Sequence, residues 1–281
     1  MLNGNFDRVG VYLALSFTQL ALLATLALLS REGKIKSLSV AQSSSQGQFL
    51  DLLWVFLFTN AISLILSLGE FYLIGPLPVR NPGLSIVFFR LMVRNAPTLL
   101  LSGGSYLFIF RKRGINIRNL LVQGNLSWRK KIQFGFCVGA FLMGMKVVTL
   151  LVSPERTEYW RLDPFPFMWW SWRAGFPFLT LIDISFAIGL APLVEEIVHR
   201  GYIYPLLRRR MDTALALPIG VLCWVLSHPA TSLSGLTGVA VAGVVLTLLY
   251  EQTKSASSCI VAHCMINLSW VLMLVSSFLK K

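Results

Sequence analysis

Three short stretches in the second half of the chain carry side chains whose types and spacing suit hydrolysis of a peptide bond. A carboxylate can activate water as a general base, and imidazole and carboxamide groups can orient that water or donate hydrogen bonds to an oxyanion. Within each stretch two of these side chains stand four residues apart, so that they share one face of a helix. The residues are Glu195, Glu196, Arg200, Trp224, His228, His263 and Asn267.

The first stretch separates two adjacent glutamates. Glu196 stacks with Arg200 in the order of acid before base that helices favour, so we expect an ion pair. Glu195 projects about 100° away around the helix, with no cationic partner on its own helix except His199 one turn on. Glu195 is therefore the candidate general base. Taken alone, this stretch leaves open that both glutamates bind Arg200 and nearby backbone only to hold the helices together.

The other two stretches are each ambiguous when taken alone. Trp224 and His228 share a helical face, and Pro229 should end or kink the helix just after the histidine. An interfacial histidine beside aromatic residues would give the same pattern. His263 and Asn267 share a face of the last apolar stretch, where they could instead bind a neighbouring helix. A hydrolytic site is specified only when the three stretches are combined.

The elements that must position these residues are transmembrane helices. The chain has 281 residues, of which 55% are hydrophobic and 13% charged, which is too apolar for an ordinary soluble domain. A bilayer core is crossed by about 20 apolar residues. An ionisable group at the bilayer centre costs roughly 2.5–3.5 kcal/mol, so the polar residues between Asp183 and Asn267 are functional candidates.

Eight apolar stretches approach the required length, and short loops join them. We predict an all-α fold, a multi-pass transmembrane helical bundle of about eight spans, forming a single integral membrane domain over 1–281. The N-terminal spans occupy 1–125 and the catalytic core 130–281. The third stretch is the weakest, and it can begin earlier, within Leu84–Val93, only if Arg90 and Arg94 are tolerated. The stretches are Val9–Ser30, Leu52–Gly69, Ala96–Phe110, Ile132–Val152, Phe176–Val194, Ala214–Ser227, Leu236–Tyr250 and Ser258–Leu279.

The net charge of +13 is explained by the membrane. Basic residues crowd the loops 111–131 and 208–210, which an eight-span topology puts on one side. The positive-inside rule makes that side cytoplasmic, where anionic lipid headgroups are partners. We expect a multi-pass protein of the cell or inner membrane, or of an endomembrane. Nucleic acid is not expected as a partner, because no aromatic-basic interleaving or binding motif accompanies the charge.

The three stretches together resemble the CPBP family, which comprises CAAX proteases and bacteriocin-processing enzymes and is also called Abi. That family carries Glu-Glu-x-x-x-Arg, Phe-x-x-x-His and His-x-x-x-Asn on successive membrane helices. The resemblance covers about 175–275, and the N-terminal half matches only as generic membrane spans. Two residues depart from the pattern: Trp224 stands for the usual Phe, and His199 occupies an ordinarily apolar or aromatic position, one turn from Glu195.

The resemblance implies an intramembrane endopeptidase of the type II CAAX prenyl endopeptidase kind. Glu195 would activate water with help from His228, and His263 and Asn267 would hold the oxyanion. Glu196, Arg200, His199 and Trp224 would support them.

The cofactor and the substrate are less sharply specified. Two histidines and a glutamate can ligate zinc, but the compact signature with two histidines on one helix is missing, so no cofactor is the preferred expectation. The substrate would be a peptide or a prenylated protein. Two other functions remain open: a non-catalytic CPBP-like membrane scaffold or bacteriocin immunity protein, and a transporter with a proton relay.

Overall fold

The computed structural model describes residues 42–74, 83–152, 165–228 and 233–279. Every regular element within these ranges is a helix, and none of the residues so described forms a strand. The all-α prediction is therefore confirmed. The predicted first span, Val9–Ser30, and the predicted helix breaker, Pro229, lie outside the described residues.

The helices fall into two kinds. Three π-helical turns are Tyr106–Arg111 (π1), Phe186–Leu190 (π2) and His199–Ile203 (π3), and the last two join α6, α7 and α8 into one continuous helix. The α-helices are α1 Gln42–Ile74, α2 Leu84–Ser105, α3 Ile117–Val122, α4 Trp128–Val152, α5 Phe165–Arg173, α6 Pro177–Ser185, α7 Ala191–Val198, α8 Tyr204–Arg208, α9 Thr213–Leu226, α10 Leu233–Thr253 and α11 Ala256–Leu279.

Several of these helices are built to cross a bilayer. Two apolar helical segments, Thr213–Leu226 and Ala256–Ser269, are shorter than the spanning segments. Each predicted span from Leu52 onward overlaps one of the long or short apolar helical segments. The total of eight spans stays a prediction. The chain is an integral membrane protein. Among the described residues, the segments long and apolar enough to span are Leu50–Glu70, Leu84–Arg111, Trp128–Val148, Pro177–Arg208 and Gly235–Thr253.

The weak third span is the longer of its two predicted versions, because both of its arginines have partners. It begins at Leu84. Arg90 lies 3.4 Å from Glu70 of α1 and covers the ring of Trp170. Arg94 lies 3.2 Å from the carboxylate of Asp183. Pairing offsets the cost of placing a cation in an apolar helix, so a span interrupted by arginine in the sequence is continuous in the structure.

Proline explains the π-turns on both sides of α7. A proline has no N–H, and its ring collides with the carbonyl four residues earlier, which widens a helix locally. Pro192 stands four residues after Ile188 in π2, and Pro205 stands four residues after Gly201 in π3. The regular turns of α7 that carry Glu195 and Glu196 are thus bounded at both ends by widened turns.

Helices α4 and α11 approach each other closely through two glycines. A Cβ atom on Gly135 would lie 2.4 Å from the carbonyl oxygen of Ser258, and one on Gly139 would lie 2.7 Å from the Cβ of Met265. Any larger residue at either position would force the helices apart. This small-residue contact, a common packing device between membrane helices, fixes α11, which carries His263.

Several residues of the basic loops are engaged inside the protein. Lys112 and Arg113 bind the carboxylate of Asp51, at 2.8 and 2.5 Å. The ammonium of Lys131 is buried and donates to the carbonyls of Val122, Gln123 and Gly124, at 2.6, 2.9 and 3.2 Å. These side chains therefore fix the loop against the helices as well as contributing positive charge.

Candidate active site

The inner part of the site is a buried ionic cluster of three residues, Glu196, Arg200 and His263. The Glu196 Oε1 accepts a hydrogen bond from Arg200 Nη1 at 2.9 Å and lies 2.9 Å from His263 Nδ1. Their side chains are 0%, 2% and 6% exposed, respectively. Arg200 also donates to the carbonyl of Gly243 at 3.2 Å. The expected Glu196–Arg200 ion pair is present, and His263 joins it from another helix.

This contact restricts what His263 can donate. A carboxylate oxygen only accepts, so the Nδ1 of His263 must carry the hydrogen in the bond to Glu196. In a neutral ring, Nε2 then has only a lone pair. His263 can therefore donate from Nε2 only as an imidazolium.

The outer part of the site is a pair formed by Glu195 and His228. The Nε2 of His228 lies 3.3 Å from the Oε2 of Glu195. The two side chains are 20% and 23% exposed, whereas that of Glu196 is fully buried. Glu195 lacks a partner on its own helix, as expected, but it is not isolated, because His228, just beyond the end of α9, supplies one.

A backbone contact fixes the tautomer of His228. Its Nδ1 lies 2.7 Å from the carbonyl oxygen of Trp224, an acceptor, so Nδ1 carries a hydrogen. The ring presents Nε2 to Glu195, and a lone pair there would repel a carboxylate. A proton on Nε2 would make the 3.3 Å contact an attractive ion pair.

The sequence-based placement of His228 within a helix was slightly wrong. Helix α9 ends at Leu226, and the amide of His228 donates to the carbonyl of Val225 in a final tighter turn. The ring of His228 nevertheless packs edge-on against Trp224, with ring centroids 4.4 Å apart. It follows the helix end, which turns its ring towards Glu195.

Trp224 joins the two parts of the site. Its ring lies 4.4 Å from the His228 ring and 5.7 Å from the His263 ring, centroid to centroid. The guanidinium of Arg200 covers the same indole at 4.5 Å, a favourable cation–π distance. The outer pair and the inner cluster are therefore neighbours across a single aromatic side chain.

The hydrogen bond of Asn267 is with the widened turn π2 rather than with another residue of the predicted set. Its Nδ2 donates to the carbonyl of Ala187 at 2.8 Å. In the widened turn the amide of Ala191 donates to Phe186 instead, and Pro192 has no hydrogen to offer. The side chain of Asn267 supplies the donor that this carbonyl would otherwise lack. The second hydrogen of the amide remains for another acceptor.

His199 is buried without a hydrogen bond. Its side chain packs edge-on against Phe56 of α1, with ring centroids 6.0 Å apart. Neither ring nitrogen has a partner among the residues that the structure describes. The idea that His199 tunes Glu195 stays a prediction, since no direct bond joins the two.

Gly243 is a supporting residue that the sequence reading missed. A Cβ atom there would lie 2.8 Å from the indole of Trp224, and the carbonyl of the same residue accepts from Arg200. Glycine thus allows α10 to approach both side chains. One glycine among several in an apolar helix gave no signal that could single it out.

The donor groups do not assemble into a metal site of the usual size. Over 42–74, 83–152, 165–228 and 233–279, no three side chains of His, Cys, Asp or Glu come together as a group that could hold a metal ion. His228 and Glu195 lie together at 3.3 Å, whereas the ring of His263 meets them only across the indole of Trp224. The residues therefore do not fit a three-ligand zinc site.

Comparison with known families bears on this region. Residues 177–269 match the family model described as type II CAAX prenyl endopeptidase Rce1-like. The match contains α6 to α10 and the part of α11 that carries His263 and Asn267, and it confirms the resemblance drawn from the motifs. Neither the comparison with curated proteins nor that with solved structures found a match. This region thus resembles an intramembrane endopeptidase domain.

Proposed function

We propose that the chain is an intramembrane endopeptidase in which Glu195 is the general base for water. The observation that carries the proposal is the division of labour between two adjacent carboxylates. Glu196 is fully buried and held by Arg200 and His263, whereas Glu195 is partly exposed and faces His228 at 3.3 Å. Only Glu195 is then available to a water molecule.

The first step is attack of water on the peptide carbonyl. Glu195 starts as a carboxylate beside the imidazolium of His228, whose Nδ1 is held by the Trp224 carbonyl. As the oxygen of water bonds to the carbonyl carbon, an O–H bond breaks and the proton passes to Glu195. The peptide oxygen becomes an oxyanion.

His263 and Asn267 are the proposed donors to that oxyanion. His263 donates from Nε2 as an imidazolium, and its net effect is cationic because Glu196 is already balanced by Arg200. Asn267 donates the amide hydrogen that Ala187 does not use. Preorganised donors of this kind contribute about 3–4 kcal/mol each to lowering a barrier.

The intermediate then collapses. The carbonyl reforms, the C–N bond breaks, and Glu195 returns its proton to the departing amine nitrogen. The products are a carboxylic acid and an amine, and the acid then passes its proton to the amine to give a carboxylate terminus and an ammonium group. No step requires a metal, and prolonged treatment with a chelator is expected to leave activity intact.

The substrate we propose is a peptide held at the membrane, of which a prenylated C-terminal Cys-a-a-X segment is the leading case. This choice comes from the matched family description. A prenyl chain anchors a peptide to the bilayer, which brings its scissile bond to a site between membrane helices.

The test uses the purified full chain in nanodiscs, with a farnesylated peptide ending in Cys-a-a-X and its unprenylated counterpart, and mass spectrometry of the products. We expect cleavage of the prenylated peptide by wild type and none by Glu195→Gln or His228→Ala. Glu251→Gln is the control, because Glu251 is a membrane-helix carboxylate bound to Arg208 outside the site. Equal cleavage by Glu195→Gln would show that the base is assigned wrongly.

Comparative proteomics of membranes containing wild type or the Glu195→Gln variant extends the test to natural substrates. Proteins that lose a terminal segment only with wild type are the candidates. Absence of any such protein, together with no cleavage of either peptide, would favour a non-catalytic scaffold.

A further inference from the structure

A cavity lies away from the candidate active site, between α3 with its flanking loop and the π3–α8 segment. Its volume is about 530 Å³, and its wall includes Asn119, Leu120, Gln123, Tyr202, Leu206 and Arg209. It shares no wall residue with the set formed by Glu195, His228, His263 and Asn267. The wall combines aliphatic side chains with polar groups and one arginine.

The chain topology puts this cavity at the level where membrane spans end. The span Pro177–Arg208 ends next to Arg209, and the span Leu84–Arg111 ends just before the loop that leads into α3. The next span starts at Trp128, soon after Gln123. Lipid headgroups occupy this level of a bilayer. A ligand from the membrane therefore meets the cavity directly.

Arg209 carries an uncompensated positive charge into the wall. Its neighbour Arg208 binds Glu251 at 2.7 Å and the carbonyl of Met211 at 2.9 Å. Lys131, on the loop side, is fully used by backbone carbonyls. The guanidinium of Arg209 has no hydrogen bond or ion pair with any residue that the structure describes. Its five donors suit a phosphate oxygen.

Tyr202 gives a second, independent indication of a ligand. Its side chain is 7% exposed, and within the described part of the chain its hydroxyl is buried with no hydrogen-bond partner. Arg209 lines the same cavity as Tyr202. A buried hydroxyl without a partner is costly, and a bound acceptor would satisfy it.

We propose that this cavity binds an anionic phospholipid, with the phosphate between Arg209 and the Tyr202 hydroxyl and the glycerol and upper acyl carbons against Leu120 and Leu206. Asn119 and Gln123 offer amide groups to the polar headgroup. Charge complementarity, the aliphatic wall and the level of the cavity all favour a membrane lipid. The bound lipid ties the loop at α3 to the end of the helix that carries Glu195.

The test measures binding of phosphatidylglycerol to the full chain in phosphatidylcholine nanodiscs. The protein is released from the nanodiscs, and native mass spectrometry measures the phosphatidylglycerol that stays bound to it. We expect Arg209→Gln to weaken retention about five- to tenfold, the effect of losing one cation close to an anionic headgroup. Tyr202→Phe, which keeps the aromatic packing, should weaken it about threefold. Arg118→Gln is the matched control, since Arg118 is an exposed arginine of α3 outside the cavity wall, and retention should stay within twofold.

Other results would overturn the proposal. Equal losses for Arg209→Gln and Arg118→Gln would mean that lipid senses only the overall basic surface. Displacement of the lipid by millimolar inorganic phosphate or glycerol phosphate would identify a soluble-anion site, and displacement by a peptide carboxylate would identify a peptide site. If Arg209→Gln does not fold, Asn119→Trp, which fills the cavity from α3, must lower retention instead. Unchanged retention in Asn119→Trp refutes the site.

Discussion

The outer pair and the inner cluster use the same residue types in opposite ways. Both contain one glutamate and one histidine, and the two glutamates are consecutive in the chain. Glu196 sits in a fully buried cluster with Arg200 and His263, whereas Glu195 faces His228 with about a fifth of each side chain exposed. Glu196 is buried and paired with an arginine, as in a structural ion pair. Glu195 is partly exposed and has no arginine partner, which suits a group that exchanges a proton with water.

The comparison teaches how a helix can present adjacent carboxylates to different tasks. Successive residues point about 100° apart, so Glu196 faces Arg200 while Glu195 is directed to His228 at the end of α9. The short run of regular helix between π2 and π3 preserves that angle. Each of the following predictions changes one side of this arrangement, beginning with the largest expected effect.

Glu195→Gln removes the only proposed base and keeps the shape of the side chain. We expect cleavage to fall by about 10³–10⁴-fold, the typical contribution of general-base catalysis. The thermal midpoint in detergent should change little, because Gln keeps the shape of the Glu195 side chain and the outer pair is not fully buried. The measurement is product formation beside a thermal unfolding curve on one preparation. A parallel loss of folding would contradict the separation of the two regions.

Arg200→Ala leaves the Glu196 carboxylate buried without its cation. Breaking a buried pair in this way costs about 3–5 kcal/mol of folding free energy. We therefore expect low yield and a clearly depressed unfolding midpoint, measured by dye-free thermal scanning. Arg118→Gln provides the comparison for loss of an exposed arginine. An Arg200→Ala protein with wild-type stability would show that the inner cluster does not hold the fold.

Asn267→Ala removes the carboxamide and leaves the Ala187 carbonyl without its donor. If Asn267 stabilises the oxyanion, cleavage should fall by about 10²-fold with a nearly unchanged KM. Loss through KM alone, with kcat preserved, would indicate that Asn267 only positions π2.

Pro192→Ala tests the backbone origin of the Asn267 contact. Alanine supplies an N–H that can bond the carbonyls of Ala187 or Ile188, in competition with Asn267. We expect roughly tenfold lower kcat, of the order expected when one hydrogen-bonded group is displaced. Pro218→Ala, at the proline inside α9, is the control and should behave as wild type. Similar effects of both substitutions would remove the special role of π2.

Trp224→Phe should have the smallest effect. Phenylalanine keeps a ring between His228 and His263 and is the residue usual at this position in the resembling family. The cation–π contact with Arg200 becomes weaker by about 0.5–1 kcal/mol. We expect activity within about threefold of wild type and a slightly lower unfolding midpoint. A hundredfold loss of activity would assign the indole a direct role in the reaction.

Much of this arrangement was accessible from the sequence, because helical periodicity and spacing are local. The spacing of Glu196 and Arg200 predicted their ion pair, and the run of apolar residues predicted each described span. The partner of His263 could not be predicted, since its bond to Glu196 joins residues far apart in the chain and depends on how the helices pack. The same holds for Arg90 and Arg94, whose partners lie on other helices.

The end of α9 and the π-turns show a different limit. Pro192 and Pro205 are visible in the sequence as helix irregularities, but a proline can kink, end or widen a helix. Only the packing of α11 against π2 determines that the Ala187 carbonyl accepts a hydrogen bond from Asn267. Roles in the reaction stay predictions for all four residues of the set Glu195, His228, His263 and Asn267.

The close approach of α4 and α11 has a consequence for the path of a substrate. A lipid-anchored chain must enter sideways between helices, and an opening between α4 and α11 would have to separate two backbones that touch at Gly135 and Gly139. We expect the contact between α4 and α11 to stay closed while a substrate enters. A peptide then enters through another face of the helical bundle. Cysteine cross-links between α4 and α11 should therefore leave turnover unaffected.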